Sequence, residues 1–198
     1  MRILSSPGSA ELNIKNSRFL AEAFIVGTQE EARALIKAQK ERYADATHVV
    51  HAFVIGPSGG ILGCSDDGEP SGTAGRPVLD VLKGSGLTNA LVTVTRWFGG
   101  TLLGTGGLVK AYGDSAKAVL AGTPSEELVA MRDFSVEFAY EVYERARREI
   151  AALGAQVERE DFGTAVLVSG RVREADAVAL SERVADISSG RARVTLAE

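Results

Sequence analysis

The stretch Ser65–Pro77 reads Ser-Asp-Asp-Gly-Glu-Pro-Ser-Gly-Thr-Ala-Gly-Arg-Pro, three glycines and two prolines in thirteen residues. Proline fixes φ and glycine permits positive φ, so this composition specifies a shaped loop rather than a floppy one. A second such segment, Thr95–Gly113, ends a buried-type strand in Arg96-Trp97-Phe98. It then runs through Gly99, Gly100, Gly104, Gly106 and Gly107 before a helical pattern opens. Whatever the chain binds is expected to be held by these two segments.

The pattern around them is mixed. Glu11–Val26 reads as two extended pieces about the turn Lys15-Asn16-Ser17, with Phe19, Ala21, Ala23 and Ile25 alternating against polar neighbours. Thr28 and Glu31 have capping-box spacing, and Ala32, Leu35, Ile36, Gln39 and Tyr43 then share one helical face. His48–Gly56 and Gly60–Ser65 form paired strands about Pro57-Ser58-Gly59. Pro77 opens a short helix that Gly84 closes, Asn89–Thr95 is a strand, and Leu108–Leu120 is helical.

Gly122-Thr123-Pro124-Ser125 reads as a linker. Beyond it come strand (Phe134–Tyr140), helix (Val142–Leu153), strand (Gln156–Asp161), strand (Thr164–Val172), helix (Glu174–Asp186) and strand (Arg191–Leu196), the split βαβ or ferredoxin-like order. Val142, Ala146, Ile150 and Leu153 form the inner face of the first helix, and Val178, Ser181 and Val184 that of the second. The reading is α+β with two domains, residues 1–122 and 126–198.

Charge divides at the same place. Up to Gly122 there are 12 Lys+Arg against 11 Asp+Glu; from Thr123 onward there are 10 Arg against 15 Asp+Glu. Non-specific wrapping of nucleic acid needs a cationic excess that this chain lacks, so any RNA contact would come from a local patch. The longest apolar runs are too short to cross a bilayer, and MRILSSPGSAE has no apolar stretch of a secretory signal. A single cysteine, Cys64, excludes an internal disulfide and suits a reducing cytoplasm. It alternates with apolar residues and is expected to be a buried, inert thiol. No membrane partner is expected, and the sequence leaves oligomeric state open.

The candidate chemistry sits in the two loops. Ser65, Asp66, Asp67, Glu69, Ser71 and Thr73 are the polar side chains of the first. Asp66, Asp67 and Glu69 offer oxygen ligands for Mg²⁺ or Ca²⁺; the other reading is that Asp66 and Asp67 accept backbone N–H bonds in turns and cap the next helix. No metal site or cofactor is assigned. Arg76 of the first segment and Arg96, Trp97, Lys110 and the glycines at 99, 100, 104, 106 and 107 of the second are the candidate anion, RNA or partner contacts. Exposed N–H groups at a helix start favour an anion, and an arginine beside aromatics offers a stacking platform. Glycines that merely permit close packing, with Arg96 paired to Asp66 or Asp67, are the alternative. The segment is not a P-loop, since Thr105 follows Gly104 where lysine is required. His48 and His51 fall on opposite faces of a strand, so they are not a chelating pair. Ser65, Ser71, His48 and Asp66 are available for a catalytic triad, but nothing singles one out, and catalytic residues stay unassigned.

Ser17-Arg18-Phe19, Asp45-Ala46-Thr47-His48, the whole of Ser65–Pro77, Thr95–Gly100 and Leu103-Gly104-x-Gly106-Gly107-Leu108-x-x-Ala111-Tyr112 together resemble the YigZ/IMPACT family. The resemblance covers residues 14–122 strongly. Trp97 stands where that family commonly has Tyr, and Val49-Val50 replaces a more polar pair. The resemblance implies an N-terminal domain similar to domain 2 of ribosomal protein S5. It also implies a ferredoxin-like C-terminal domain similar to those ending elongation factor G. Eukaryotic relatives regulate translation through contacts with the activator of an initiation-factor kinase. The expectation is a non-enzymatic, translation-linked protein contacting ribosome, RNA or a protein factor. An enzyme or sensor for a small phosphorylated ligand or nucleotide, with Mg²⁺, is the alternative.

Overall fold

The computed structural model describes residues Met1–Ala197. The chain divides into two compact units, Met1–Leu128 and Val129–Glu198. The first contains β1 (Arg2–Leu4), β2 (Gly8–Ile14), β3 (Ser17–Ile25), α1 (Gln29–Arg42), β4 (His48–Ile55), β5 (Ile61–Ser65), α2 (Gly75–Gly84), β6 (Ala90–Trp97), α3 (Thr105–Gly122) and β7 (Ser125–Glu127). Five strands form an antiparallel sheet in the order β2-β3-β6-β4-β5. Lys15 and Asn16, both at positive φ, make the two-residue turn that joins β2 to β3, the geometry that matches strand twist.

The alternation of β3, β4 and β6 sends two sets of side chains to opposite faces. Phe19, Ala21, Val50, Ala52, Val92 and Val94 meet Val78 and Leu82 of α2 and Leu108, Tyr112 and Ala116 of α3 in one apolar core. On the other face Leu91, Ile55 and Val26 meet Ala32, Leu35 and Ile36 of α1. Thr28 caps α1 as its spacing predicts, accepting from the Glu31 N–H at 3.2 Å; Glu31 bonds back to the Gly27 N–H at 2.7 Å. The segment read as a linker does not leave the first unit at Ser125: Ser125–Glu127 pairs with Arg2–Leu4.

The second unit contains β8 (Met131–Phe138), α4 (Tyr140–Ala152), β9 (Gln156–Phe162), β10 (Val166–Arg173), α5 (Ala177–Ser188) and β11 (Val194–Leu196). Its antiparallel sheet has the order β11-β8-β10-β9. Phe134, Val136, Phe138, Val166 and Val168 pack against Ala146 and Ile150 of α4 and Leu180 and Val184 of α5. One helical face is corrected. Val184 faces inward as expected, but its companions are Ala177, Leu180 and Ser188 rather than Val178, which is exposed; α5 follows a short 3₁₀ turn at Glu174–Asp176. Cys64 is corrected too: it is exposed, because β5 is an edge strand.

Candidate functional site

The first glycine-rich loop is wired by its acids, each to different donors. Asp66 accepts N–H bonds from Gly72 (2.8 Å), Ala74 (3.0 Å) and Gly75 (2.8 Å), so it holds the start of α2. Partial burial disfavours its charge, but those three donors outweigh it and hold Asp66 below the usual carboxylate range. A Cβ at Gly75 would come within 2.7 Å of the Ser65 backbone, which is why the loop needs glycine where α2 begins. Asp67 accepts from Lys40 and from the Val49 N–H (2.7 Å), while its carbonyl meets His48 Nδ1 at 2.7 Å. Lys40 and the Val49 N–H likewise outweigh burial and lower its pKa. Ser65 Oγ accepts from the Asp67 N–H, Thr73 Oγ1 donates to the Pro70 carbonyl, and Ser71 is exposed. Backbone capping therefore accounts for Asp66 and much of Asp67.

Glu69 goes inward. It is 8% exposed, and its Oε1 accepts from Arg96 Nη1 at 2.6 Å and from the Tyr112 hydroxyl at 2.7 Å. His48 Nε2 lies 3.8 Å away. Burial and the Glu69 carboxylate push the Tyr112 phenol far above its ordinary pKa, so it stays protonated and donates. Arg96 thus has a carboxylate partner, but it is Glu69 rather than Asp66 or Asp67. Its Nη2 reaches Ser17 Oγ (3.3 Å), and the Phe19 and Phe98 rings lie 5.5 and 5.4 Å from Cζ.

The second loop rises from this floor. Trp97 donates from Nε1 to Asp45 (2.8 Å), with the Arg18 guanidinium 4.4 Å over its ring and Tyr43 edge-on at 5.6 Å. The Phe98 N–H donates to Thr47 Oγ1 (3.0 Å), and the Gly99 N–H to Ser17 Oγ (3.3 Å). A Cβ at Gly99 would lie 1.9 Å from the Asn16 carbonyl oxygen, so only glycine lets the loop cross the β2–β3 turn. Gly100 lies in the loop, Gly104 is the N-cap of α3, and Gly106 and Gly107 stand in its first turn. A cleft of about 390 Å³ opens between the two loops, with His48, Glu69 and Arg96 at its polar end and Pro70, Phe98, Leu102, Leu103 and Leu108 as apolar walls.

Not every candidate residue joins the cleft. Arg76 pairs with Asp80 (2.8 Å) on the exposed side of α2, and Lys110 pairs with Asp114 on α3. No triad forms among the serines considered, since Asp66 is taken by backbone donors and His48 by the Asp67 carbonyl. Gly56-Pro57-Ser58-Gly59-Gly60 has nucleophile-elbow spacing, but it lies between two strands rather than between a strand and a helix. Tyr112, Ser17, Thr47 and Asp45 hold the cleft floor and the second loop in place, and residue type alone did not single them out. Their only signal was the set of short motifs that carried the family resemblance.

The fold and site define a two-domain α+β protein whose N-terminal sheet ends in a cleft built by two glycine-rich loops. Residues 15–120 match the Impact N-terminal domain, and residues 136–191 match a domain of unknown function, DUF1949. The chain belongs to the IMPACT family. It is 34% identical over 187 residues to IMPACT family member YvyE of Bacillus subtilis, covering 94% of this chain and 86% of that protein. It is 32% identical over 190 residues to IMPACT family member YigZ of Escherichia coli, covering 95% and 93%. A crystal structure described as a hypothetical protein superimposes with a TM-score of 0.70 at 32% identity, covering 100% of this chain and 97% of that one. No described helix is long and apolar enough to cross a membrane.

Proposed function

We propose that this chain is a non-enzymatic, translation-linked binding protein that contacts the ribosome, RNA or a translation factor through Trp97 and the Phe98–Gly107 loop. One observation carries the reading: Leu102 is 83% exposed and Phe98 45% exposed, on a loop pinned by Thr47, Ser17 and the close approach of Gly99. Exposed apolar side chains on a fixed loop beside a tryptophan and Arg18 have the composition of an interface centre. The link to translation rests on the family resemblance. The finer fold assignments belong to the same reading. The βαββαβ order with strands in the sequence β11-β8-β10-β9 supports a ferredoxin-like C-terminal domain. An S5 domain 2-like N-terminal domain and a cytoplasmic location rest on resemblance and composition. The phosphorylated-ligand alternative loses its proposed metal ligands, because Asp66, Asp67 and Glu69 serve three different groups of donors.

Arg96 is buried with Glu69, so its substitution tests folding rather than contact. The informative variant is Phe98→Ser/Leu102→Ser, compared with the wild type and with Arg76→Ala by co-sedimentation with ribosomes on a sucrose gradient. The wild type is expected to migrate with ribosomes and the double variant to stay at the top. Identical migration of the two overturns the face, and a wild type found only at the top overturns the ribosome as partner.

A further inference from the structure

The two edges of the five-stranded sheet are unlike. β2 closes one edge, and its exposed positions are polar: Ser9, Glu11 and Asn13. β5 closes the other, and its exposed positions are Ile61 (40%), Leu62 (42%) and Cys64. β5 has no charged residue, no proline and no bulge, and its 5 residues are an ordinary strand length. It therefore lacks the devices by which edge strands avoid pairing. The edges of the second unit have them: β9 presents Glu158, Arg159, Glu160 and Asp161, and β11 is only 3 residues long. Beyond its ladder with β4, the Ile61–Ser65 backbone makes no hydrogen bond among the described residues.

We infer that β5 pairs antiparallel with β5 of a second copy of this chain, about a two-fold axis at Gly63, joining the two five-stranded sheets. Residues opposite each other in a ladder share a face, so the register must match like with like. Leu62 and Cys64 stand opposite Val54 and Ala52, on the α2 face; Ile61 stands opposite Ile55, on the α1 face. Centred on Gly63, the pairing sets Leu62 of one copy against Cys64 of the other and Ile61 against Ser65, so every residue of the strand is used. The same register sets Asp66 against Gly60 and Asp67 against Gly59, so acid never meets acid. At the axis neither strand has a side chain. The Phe53 ring of each copy covers its own Gly63 there, where a Cβ would come within 2.2 Å of the ring. Arg76 and Asp80 of α2 stand near Cys64 as one cation and one anion, so neither copy meets an excess of like charge. A two-fold pairing uses the β5 edge once, and the polar β2 edge does not extend it, so assembly stops at a dimer.

The test is sedimentation equilibrium of the full chain at rising concentration. The wild type is expected to approach twice the mass of one chain. Leu62→Lys, which puts a charge on an already exposed position of the edge, is expected to stay monomeric, and Ser9→Lys on the opposite edge to dimerise as the wild type does. Circular dichroism checks that both variants fold. A second measurement does not depend on disrupting the edge. Diagonal neighbours across a strand pair lie about 7–8 Å apart, so a short bismaleimide is expected to link Cys64 to Cys64 in the wild-type dimer. Leu62→Cys sets a second thiol directly opposite Cys64 and is expected to give disulfide-linked dimers on mild oxidation. A dimer that Leu62→Lys leaves intact, or one that neither reagent links, overturns the pairing. A wild type monomeric at every concentration overturns it too, and leaves the edge to a strand of another protein. Ribosome co-sedimentation that depends on Phe98 and Leu102 is unaffected by any of these outcomes.

Discussion

Both faces of the N-terminal sheet contain polar side chains, but the two sets are wired differently. On the α2/α3 face, Glu69 joins Arg96 and Tyr112, with Ser17 behind them. On the α1 face, Glu22, Thr93 and His51 form a cross-strand row that α1 covers with Gln39, which donates to Glu22 at 3.1 Å. There the hydroxyls of Thr93 and Thr95 and the Nδ1 of His51 are buried without partners, whereas in the Glu69 cluster the Arg96 Nε alone among the described residues is left so. β6 supplies Arg96 to one set and Thr93 and Thr95 to the other, so one strand carries both a mutually bonded cluster and an unsatisfied row. The bonded cluster is the one beneath the cleft. A site that must present a fixed loop needs its supports locked by their own hydrogen bonds, and the α1 face has no such loop to hold.

The largest effect expected from this contrast is that of Glu69→Ala. It leaves the Arg96 guanidinium buried and unpaired, a loss of about 3–5 kcal/mol where an ion pair is broken from one side. Urea unfolding followed by circular dichroism reads it directly. A loss below about 1 kcal/mol would mean that the cluster is solvated and that the loop is held by its glycine contacts alone.

One hydroxyl from each face sharpens the contrast. Tyr112→Phe removes a donor from the Glu69 carboxylate and is expected to cost about 1.5–3 kcal/mol. Thr93→Val keeps the shape of a fully buried side chain and removes an oxygen that bonds to nothing. It is expected to be neutral or to stabilise by about 1 kcal/mol. Opposite signs in the same unfolding assay uphold the contrast. A destabilising Thr93→Val would show that the α1-side row is hydrogen-bonded in solution, by water.

Much of this was legible in the sequence, though unevenly. The Lys15-Asn16 turn, the Thr28 cap and the strand–loop–helix course of both glycine segments arise from local chemistry, and the structure has each of them. Backbone capping by Asp66 was one of two readings, and it holds because a loop that turns back on a helix start must find acceptors for that helix's first N–H groups. Which acid meets Arg96 was not legible. Asp66, Asp67 and Glu69 lie within four residues, and only the turn between them, with Asp67 at φ 46°, sends Glu69 inward. Val178 and Cys64 failed for a related reason. Periodicity tells which residues share a face, not where a helix starts or whether a neighbouring strand covers that face. Leu102 carried no signal at all, since one leucine in a glycine loop looks like packing until its surroundings are known.

The smallest expected effect concerns pH, and it belongs to the α1 face. Burial is the main cause that lowers the His51 pKa below its ordinary value; the nearby Lys40 charge adds to it, and Asp67 opposes it. The unfolded chain binds a proton at His51 near about pH 6.5, while the folded chain resists doing so. Stability from this residue is therefore fully present above about pH 6.5 and is lost as pH falls through the lower folded value. The chain has two histidines, so His51→Leu removes one of the two side chains that normally titrate in this range. Melting temperatures measured from about pH 8 to about pH 5 are expected to fall more steeply for the wild type than for His51→Leu. Parallel curves would mean that His51 gains a partner for its Nδ1 in solution, and the contrast between the two faces would then rest on Thr93 and Thr95 alone.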